Sequence, residues 1–157
     1  MIRLLIICVL ITILSGAISQ ASQGGGLTRE SSAARSAPYT PAKGSAERKA
    51  ILDALRVPVE KQLKQPVIFN VDHFQVMNGW AFLLGAPRRP DGGKVDYSGT
   101  VYERAVEGGA FDDGIVALLH LTGGKWRVVN QIIGATDVPY LDWDRKYRAP
   151  RAIFPHD

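Results

Sequence analysis

The sequence predicts an α+β domain in which an N-terminal helix packs on a curved antiparallel sheet of about four strands. Three observations predict this fold. Apolar residues recur every four positions between residues 51 and 63, later segments alternate apolar and polar residues, and an Asn78-Gly79 pair separates two of those segments. A helix with one apolar stripe needs an apolar surface to cover it, and the alternating strands supply one.

Residues 1–21 have the organisation of a secretory signal peptide. Arg3 is followed by an uncharged apolar run and then by small residues at two alternative cleavage sites. The run is short for a membrane span, although an uncleaved anchor is the alternative. We therefore expect a periplasmic or secreted protein with no transmembrane segment after signal removal. The single cysteine, Cys8, leaves with the signal, so no disulfide is expected in the mature chain.

Residues 22–44 are rich in Gly, Ser and Pro and predict a flexible linker, which leaves residues 45–157 as a single domain. The formal net charge of the chain is +4. From residue 51 onwards basic and acidic residues are equal in number, so the basic excess lies outside the main part of the domain. The sequence therefore carries no strong nucleic-acid signal.

The predicted helix begins after Ser45, a residue type that caps helix N-termini, and Glu47 suits the dipole of the first turn. Pro58 predicts a kinked helix or two short helices, because proline lacks the N–H of a helical hydrogen bond. The helix is expected to end near Gln65-Pro66. Its apolar stripe consists of Ile51, Leu55, Val59 and Leu63.

The first two strands form a predicted hairpin. Alternation from Val67 to Val71 resumes out of phase at Phe74, which predicts a bulge at Asp72-His73. Asn78-Gly79 favours a type I′ turn. The returning strand contains Trp80, Phe82 and Leu84.

The remaining elements follow a predicted loop at residues 85–98. A turn at residues 112–114 precedes a strand at 115–121, a tight turn at 122–124 and a last strand at 125–133. Trp126, Val128 and Ile132 are expected on one face of that strand, with Asn130 among them. The spacing of Tyr140, Trp143 and Tyr147 predicts a short helical turn or a packed tail.

The order of one helix and a strand meander resembles the cystatin-like and NTF2-like α+β rolls. The segments that carry the resemblance are residues 78–82 and 123–129, Asn-Gly-Trp-Ala-Phe and Gly-Gly-Lys-Trp-Arg-Val-Val. Residues 47–154 are also similar to uncharacterised exported proteins of Gram-negative bacteria. The resemblance implies a fold and a location, and it implies no reaction.

Catalytic candidates are few. His73 beside Asp72 is the best acid–base candidate, because a carboxylate can orient an imidazole, although adjacent strand residues point to opposite faces. His120 is expected as a core or edge residue of its strand. No cofactor and no metal site is predicted. Four loop aspartates could bind calcium but fit turns better: Asp91, Asp96, Asp112 and Asp113.

Binding candidates lie in the loop after the hairpin and near the C-terminus. Aromatic and basic side chains together can bind a nucleic acid or an anionic glycan. The alternative is that the aromatic side chains pack on the sheet and the charges face water. The candidates are Arg88, Arg89, Tyr140, Trp143, Arg145, Tyr147 and Arg148.

These observations predict a non-catalytic exported domain that binds an envelope protein, a glycan or a small ligand. An NTF2-like enzyme with an acid–base site in the concave face of the sheet is the alternative, and a protein inhibitor is a third. A deep pocket with convergent polar groups favours the enzyme. A filled interior with an aromatic surface patch favours the binding domain.

Overall fold

The computed structural model describes residues 37–155, so the predicted signal peptide and most of the predicted linker lie outside the described residues. The strands form one antiparallel sheet in the order β1-β2-β3-β4, which confirms an α+β fold with a helix before a four-stranded sheet. The elements are α1 (Ala46–Leu63), β1 (Ile68–Met77), β2 (Trp80–Arg88), α2 (Glu103–Glu107), β3 (Ile115–Thr122), β4 (Lys125–Ile133), α3 (Trp143–Tyr147) and a 3-10 helix (Arg151–Ile153).

Helix α1 is continuous through Pro58, so the predicted division into two short helices does not occur. Leu55 and Val59, on either side of the proline, are both fully buried in the core that α1 forms with the sheet. This packing offsets the hydrogen bond that proline removes. The helix ends at Leu63, close to the predicted position, and Lys64 follows in a left-handed conformation. No helix within residues 37–155 is long and apolar enough to cross a membrane.

Hydrogen bonds connect α1 to Val67, the residue before β1, and connect the segment before α1 to β1 itself. Near the C-terminal end, Arg56 Nε donates to the carbonyl of Val67 at 3.1 Å, and the Val67 N–H donates to Glu60 at 3.0 Å. Before the N-terminal end, Tyr39 exchanges two backbone hydrogen bonds with Val76, at 3.0 and 2.8 Å. The last part of the predicted linker therefore lies along the outer edge of β1.

Ser45 caps α1 as predicted: its Oγ accepts a hydrogen bond from the Arg48 N–H at 3.2 Å. Replacing Ser45 with alanine is expected to lower the free energy of unfolding by about 1 kcal/mol, because the amide loses its acceptor. Urea denaturation followed by circular dichroism measures the change. Ser45→Asp keeps an acceptor and should retain the wild-type stability. An equal loss in both variants would contradict the capping role.

Strands β1 and β2 form the predicted hairpin. Asn78 and Gly79 have φ values of 50° and 76°, the positive values that a type I′ turn requires. The register shifts between Val71 and His73, which confirms the predicted bulge. Because of the bulge, Val71 and Phe74 both pack on the α1 side of the sheet, whereas His73 lies on the opposite side.

Strands β2 and β3 are apolar on both faces, whereas the alternation predicts one apolar face. One face packs against α1. The other is covered by the C-terminal tail (residues 140–154), which contains α3 and confirms the predicted helical turn. A strand covered on both sides has a continuous apolar run, as residues 115–119 do. The buried residues of this second core are Phe82, Val116, Leu118, Trp143, Ala149, Ile153 and Phe154.

Strand β4 contains a second bulge, at Val129, which has no partner where the register with β3 shifts. Trp126 and Val128, before the bulge, pack with α1, whereas Ile132, after it, packs with the tail. The prediction that these three residues share one face is therefore wrong. One inserted residue turns all later side chains to the opposite face of the sheet.

The segment 85–98 is only partly a loop, because β2 continues to Arg88. The last pair between β2 and β3 is Gly85 with Ile115, so Pro87 lies beyond the end of β3 and pairs only with β1. A proline is tolerated there because β2 has only one neighbouring strand at this point, and proline, which lacks a backbone N–H, is accepted at such edge positions. Helix α2, in the connection to β3, was not among the predicted elements.

Candidate functional site

Apolar side chains fill both sides of the sheet. The four residues of the α1 stripe are at most 1% exposed. Among residues 37–155, no polar or charged residue is buried as a whole. An acid–base site inside a roll requires polar groups that converge in a sheltered cavity. Within residues 37–155 the two cores contain no such set. A surface pocket of about 280 Å³ is lined by Asp72, Asp112, Asp137 and Tyr140, but all three aspartates are exposed.

Asp72 and His73 do not act as a pair in this structure. Asp72 is exposed at the bulge, whereas His73 is half-buried beneath the tail. The Nε2 atom of His73 lies 2.9 Å from the carbonyl oxygen of Ile153, and its ring meets that of Phe82 edge-on at 5.8 Å. Through these contacts His73 attaches the tail to the sheet.

Arg88 and Arg89 lie apart from the tail and are both paired with acids. Arg88, at the end of β2, donates to Asp113 at 2.8 Å, and its side chain is only 23% exposed. Arg89, in the loop, has its Nε 3.5 Å from Asp91. Because their charges are neutralised locally, these two arginines attract an anionic partner weakly.

The tail separates its aromatic side chains from its basic ones. Trp143 is 2% exposed, and the ring centroids of Tyr140 and Trp143 lie 5.0 and 6.3 Å from that of Phe82. The half-buried Tyr147 accepts a hydrogen bond from Asn130 of β4 at 3.1 Å. These aromatic side chains thus pack on the sheet. The basic residues of the tail are exposed and form no ion pair within residues 37–155: Arg145, Lys146, Arg148 and Arg151.

A row of side chains crosses all four strands at the edge of the tail. Met77 is opposite Trp80, Trp80 is opposite His120, and His120 is opposite Arg127. Directly opposed residues share a face, so the four side chains lie on the tail side of the sheet. Arg127 is exposed and the other three are part-exposed. We call these four residues the sheet platform.

The chemistry of the sheet platform combines a ring stack with hydrogen-bond donors. The rings of Trp80 and His120 stack at 4.1 Å with an angle of 22° between their planes. His120 Nδ1 lies 3.3 Å from the hydroxyl of Thr122, and His120 Nε2 forms no hydrogen bond within residues 37–155. Arg127 has no ion pair in the same part of the chain. When the Thr122 hydroxyl donates to Nδ1, the ring proton of His120 is on Nε2, and an imidazole N–H and a guanidinium at one surface then suit a carboxylate or a sulfate.

The loop aspartates serve as turn residues. Each of three accepts a hydrogen bond from the backbone N–H two positions later, at 2.8, 2.9 and 2.8 Å for Asp91, Asp96 and Asp112. The fourth, Asp113, is paired with Arg88. In the part of the chain that the structure describes, no three His, Cys, Asp or Glu residues are grouped closely enough to hold a metal ion.

Comparison with known proteins adds no family. No family model, curated protein or solved structure matches this chain.

Proposed function

We propose that this protein is a non-catalytic domain of the bacterial cell envelope that binds an acidic glycan on the sheet platform. The observation that carries the proposal is the Trp80–His120 ring stack beside the unpaired Arg127. The apolar cores support binding over an enzyme of the NTF2-like kind, because the carboxylates that line a pocket in the described residues, those of Asp72, Asp112 and Asp137, belong to exposed residues.

The charge around the sheet platform supports an anionic ligand. Lys125 of β4 is exposed and lies two residues from Arg127. Helix α3 borders the platform, because Tyr147 binds Asn130 on the same face of β4, and it carries the exposed Arg145. Several unpaired cations beside an aromatic surface attract acidic groups, while the rings contact apolar faces of the ligand.

We also propose that this domain is exported. A signal peptide at residues 1–21 would deliver the domain to the periplasm or the exterior. We also propose a cystatin-like or NTF2-like roll. The packing of α1 on one face of the four-stranded meander supports this assignment.

Replacing Arg127 with glutamine tests the proposal. We expect the affinity for polygalacturonate to fall about tenfold, because a charge-assisted contact is lost. The matched control is Arg104→Gln, since Arg104 is also exposed but lies on α2. This control should change the affinity less than about twofold. Isothermal titration calorimetry at constant ionic strength measures both.

Two further ligands separate the outcomes. Dextran, a neutral glycan, should not bind, and an oligoglutamate peptide should bind more weakly than polygalacturonate because it lacks sugar rings. Equal losses in the two arginine variants would contradict a site at the sheet platform. Stronger binding of the peptide would show that an acidic protein, not a glycan, is the partner.

A further inference from the structure

A line of side chains leads away from the sheet platform along β4. Lys125, Arg127 and Asn130 all lie on the tail side of the sheet. Their partners are every second residue of β3, in the order Thr122, His120 and Leu118. Without the bulge at Val129, Asn130 would point to the opposite side. Because successive members of one strand face are about 7 Å apart, the line is about 14 Å long.

Helix α3 continues this line beyond Asn130. The Nδ2 atom of Asn130 donates to the Tyr147 hydroxyl at 3.1 Å, and Lys146 Nζ lies 5.3 Å from the centroid of the Tyr147 ring. Tyr147 is the last residue of α3, so the basic end of the helix meets β4, whereas Asp142 and Asp144 lie at its start. The ammonium of Lys146 therefore stands next to the line, on the far side of Asn130 from Arg127.

The charges along this line are available to a ligand. Lys125, Arg127 and Lys146 are exposed and form no ion pair within residues 37–155. We call these three residues the cation track. A single carboxylate can contact only one of them, because neighbouring members are about 7 Å or more apart. A chain that repeats a carboxylate can contact all three at once.

We propose that the ligand is a linear polyanion, an acidic polysaccharide whose chain runs from the sheet platform along the cation track to Lys146. This inference rests on the proposed function, because the ring stack of Trp80 and His120 anchors one part of the chain. Only a chain long enough to reach α3 gains the contact with Lys146. A short acidic oligosaccharide binds at the sheet platform alone.

Lys146→Gln tests this inference with two ligands, a trisaccharide and a dodecasaccharide of galacturonate. At low ionic strength we expect the affinity for the dodecasaccharide to fall about fivefold and that for the trisaccharide to change less than about 1.5-fold. A longer chain also binds more tightly because it offers more binding registers. The readout is therefore the loss that the variant causes with each ligand, which isothermal titration calorimetry of the purified protein measures.

Two variants provide the controls. Lys146→Arg keeps the charge and should keep the wild-type affinity for the dodecasaccharide. Lys61→Gln removes an exposed lysine of α1, on the other side of the sheet, and should bind both ligands as the wild type does. The dependence of the dodecasaccharide affinity on salt concentration should become shallower in Lys146→Gln and stay the same in Lys61→Gln, because each lost contact releases fewer counterions.

Arg127→Gln distinguishes a failure of this inference from a failure of the proposed function. If this variant binds the trisaccharide as the wild type does, the ligand is not at the sheet platform, and both fail. If it binds the trisaccharide more weakly but Lys146→Gln weakens both ligands equally or neither, the platform stands and the path to α3 is overturned. A loss in Lys146→Gln that is confined to the dodecasaccharide supports the path.

Discussion

Replacing Trp143 with alanine is expected to lower the free energy of unfolding by about 3–5 kcal/mol. Trp143 is the largest fully buried side chain among residues 37–155 and lies in the core between the tail and the sheet. Its removal leaves a cavity beside Phe82 that the surrounding apolar side chains cannot fill. Guanidinium denaturation followed by far-UV circular dichroism measures the loss. Since domains are stable by only about 5–15 kcal/mol, this single change removes a large part of the total.

Arg145→Ala is the matched control, because Arg145 lies on the same short helix but faces water. Its effect should stay within about 0.5 kcal/mol. This pair of variants also decides between the two interpretations of the tail, a packed segment or an aromatic binding surface. Unchanged stability in Trp143→Ala would mean that the tail does not pack on the sheet in solution.

Gly85→Ala is expected to cost about 3 kcal/mol or more, or to prevent folding. A Cβ atom at Gly85 would lie 2.1 Å from the carbonyl oxygen of Asn70 and 3.0 Å from the Cα of Val71. Both are backbone atoms of the paired strand next to the bulge, so no side-chain rotation relieves the clash. Thermal unfolding monitored by circular dichroism measures the effect.

Gly44→Ala is the comparison variant, because it strains the backbone conformation without adding a steric clash. Gly44 has a φ of 79°, in the left-handed region, but no atom lies within 4 Å of a Cβ added there. The expected cost is about 1 kcal/mol. A Gly85 variant as stable as the Gly44 variant would contradict the close approach of β1 and β2 at the bulge.

The hairpin could be predicted from the sequence because its determinants are local. Asn78 and Gly79 fix the turn, and the change of phase between Val71 and Phe74 fixes the bulge. The helix cap at Ser45 is equally local. In each case residues within a few positions of one another determine the structure.

The second core and the bulge in β4 depend on contacts between distant residues. No residue near Val129 indicates a bulge, because apolar and polar residues alternate along 125–133 equally well with or without an inserted residue. The continuous apolar run of β3 does indicate two covered faces, but it does not identify the tail as the second cover. That assignment requires the docking of residues such as Phe154 on Phe82, more than seventy positions apart.

None of the four residues of the sheet platform is among the binding candidates that the sequence suggests. Those candidates lie in the tail and in the Arg88-Arg89 loop, whereas the aromatic side chains of the tail pack on the sheet and the part-exposed ring stack lies on the strands. The turns place Met77 opposite Trp80 and His120 opposite Arg127. The pairing of Trp80 with His120 joins strands separated by a long connection, so only the fold brings the row together.

The position of the tail at the end of the described chain also makes the second core the part of the fold that is most easily uncovered. Helix α1 and the four strands precede the tail, and Phe82 and Leu118 pack with Trp143, Ile153 and Phe154 of the tail. Whenever the tail is detached, these two side chains are exposed on one side of the sheet. A chaperone that binds extended apolar surfaces would act on this state and would be displaced when the tail packs again.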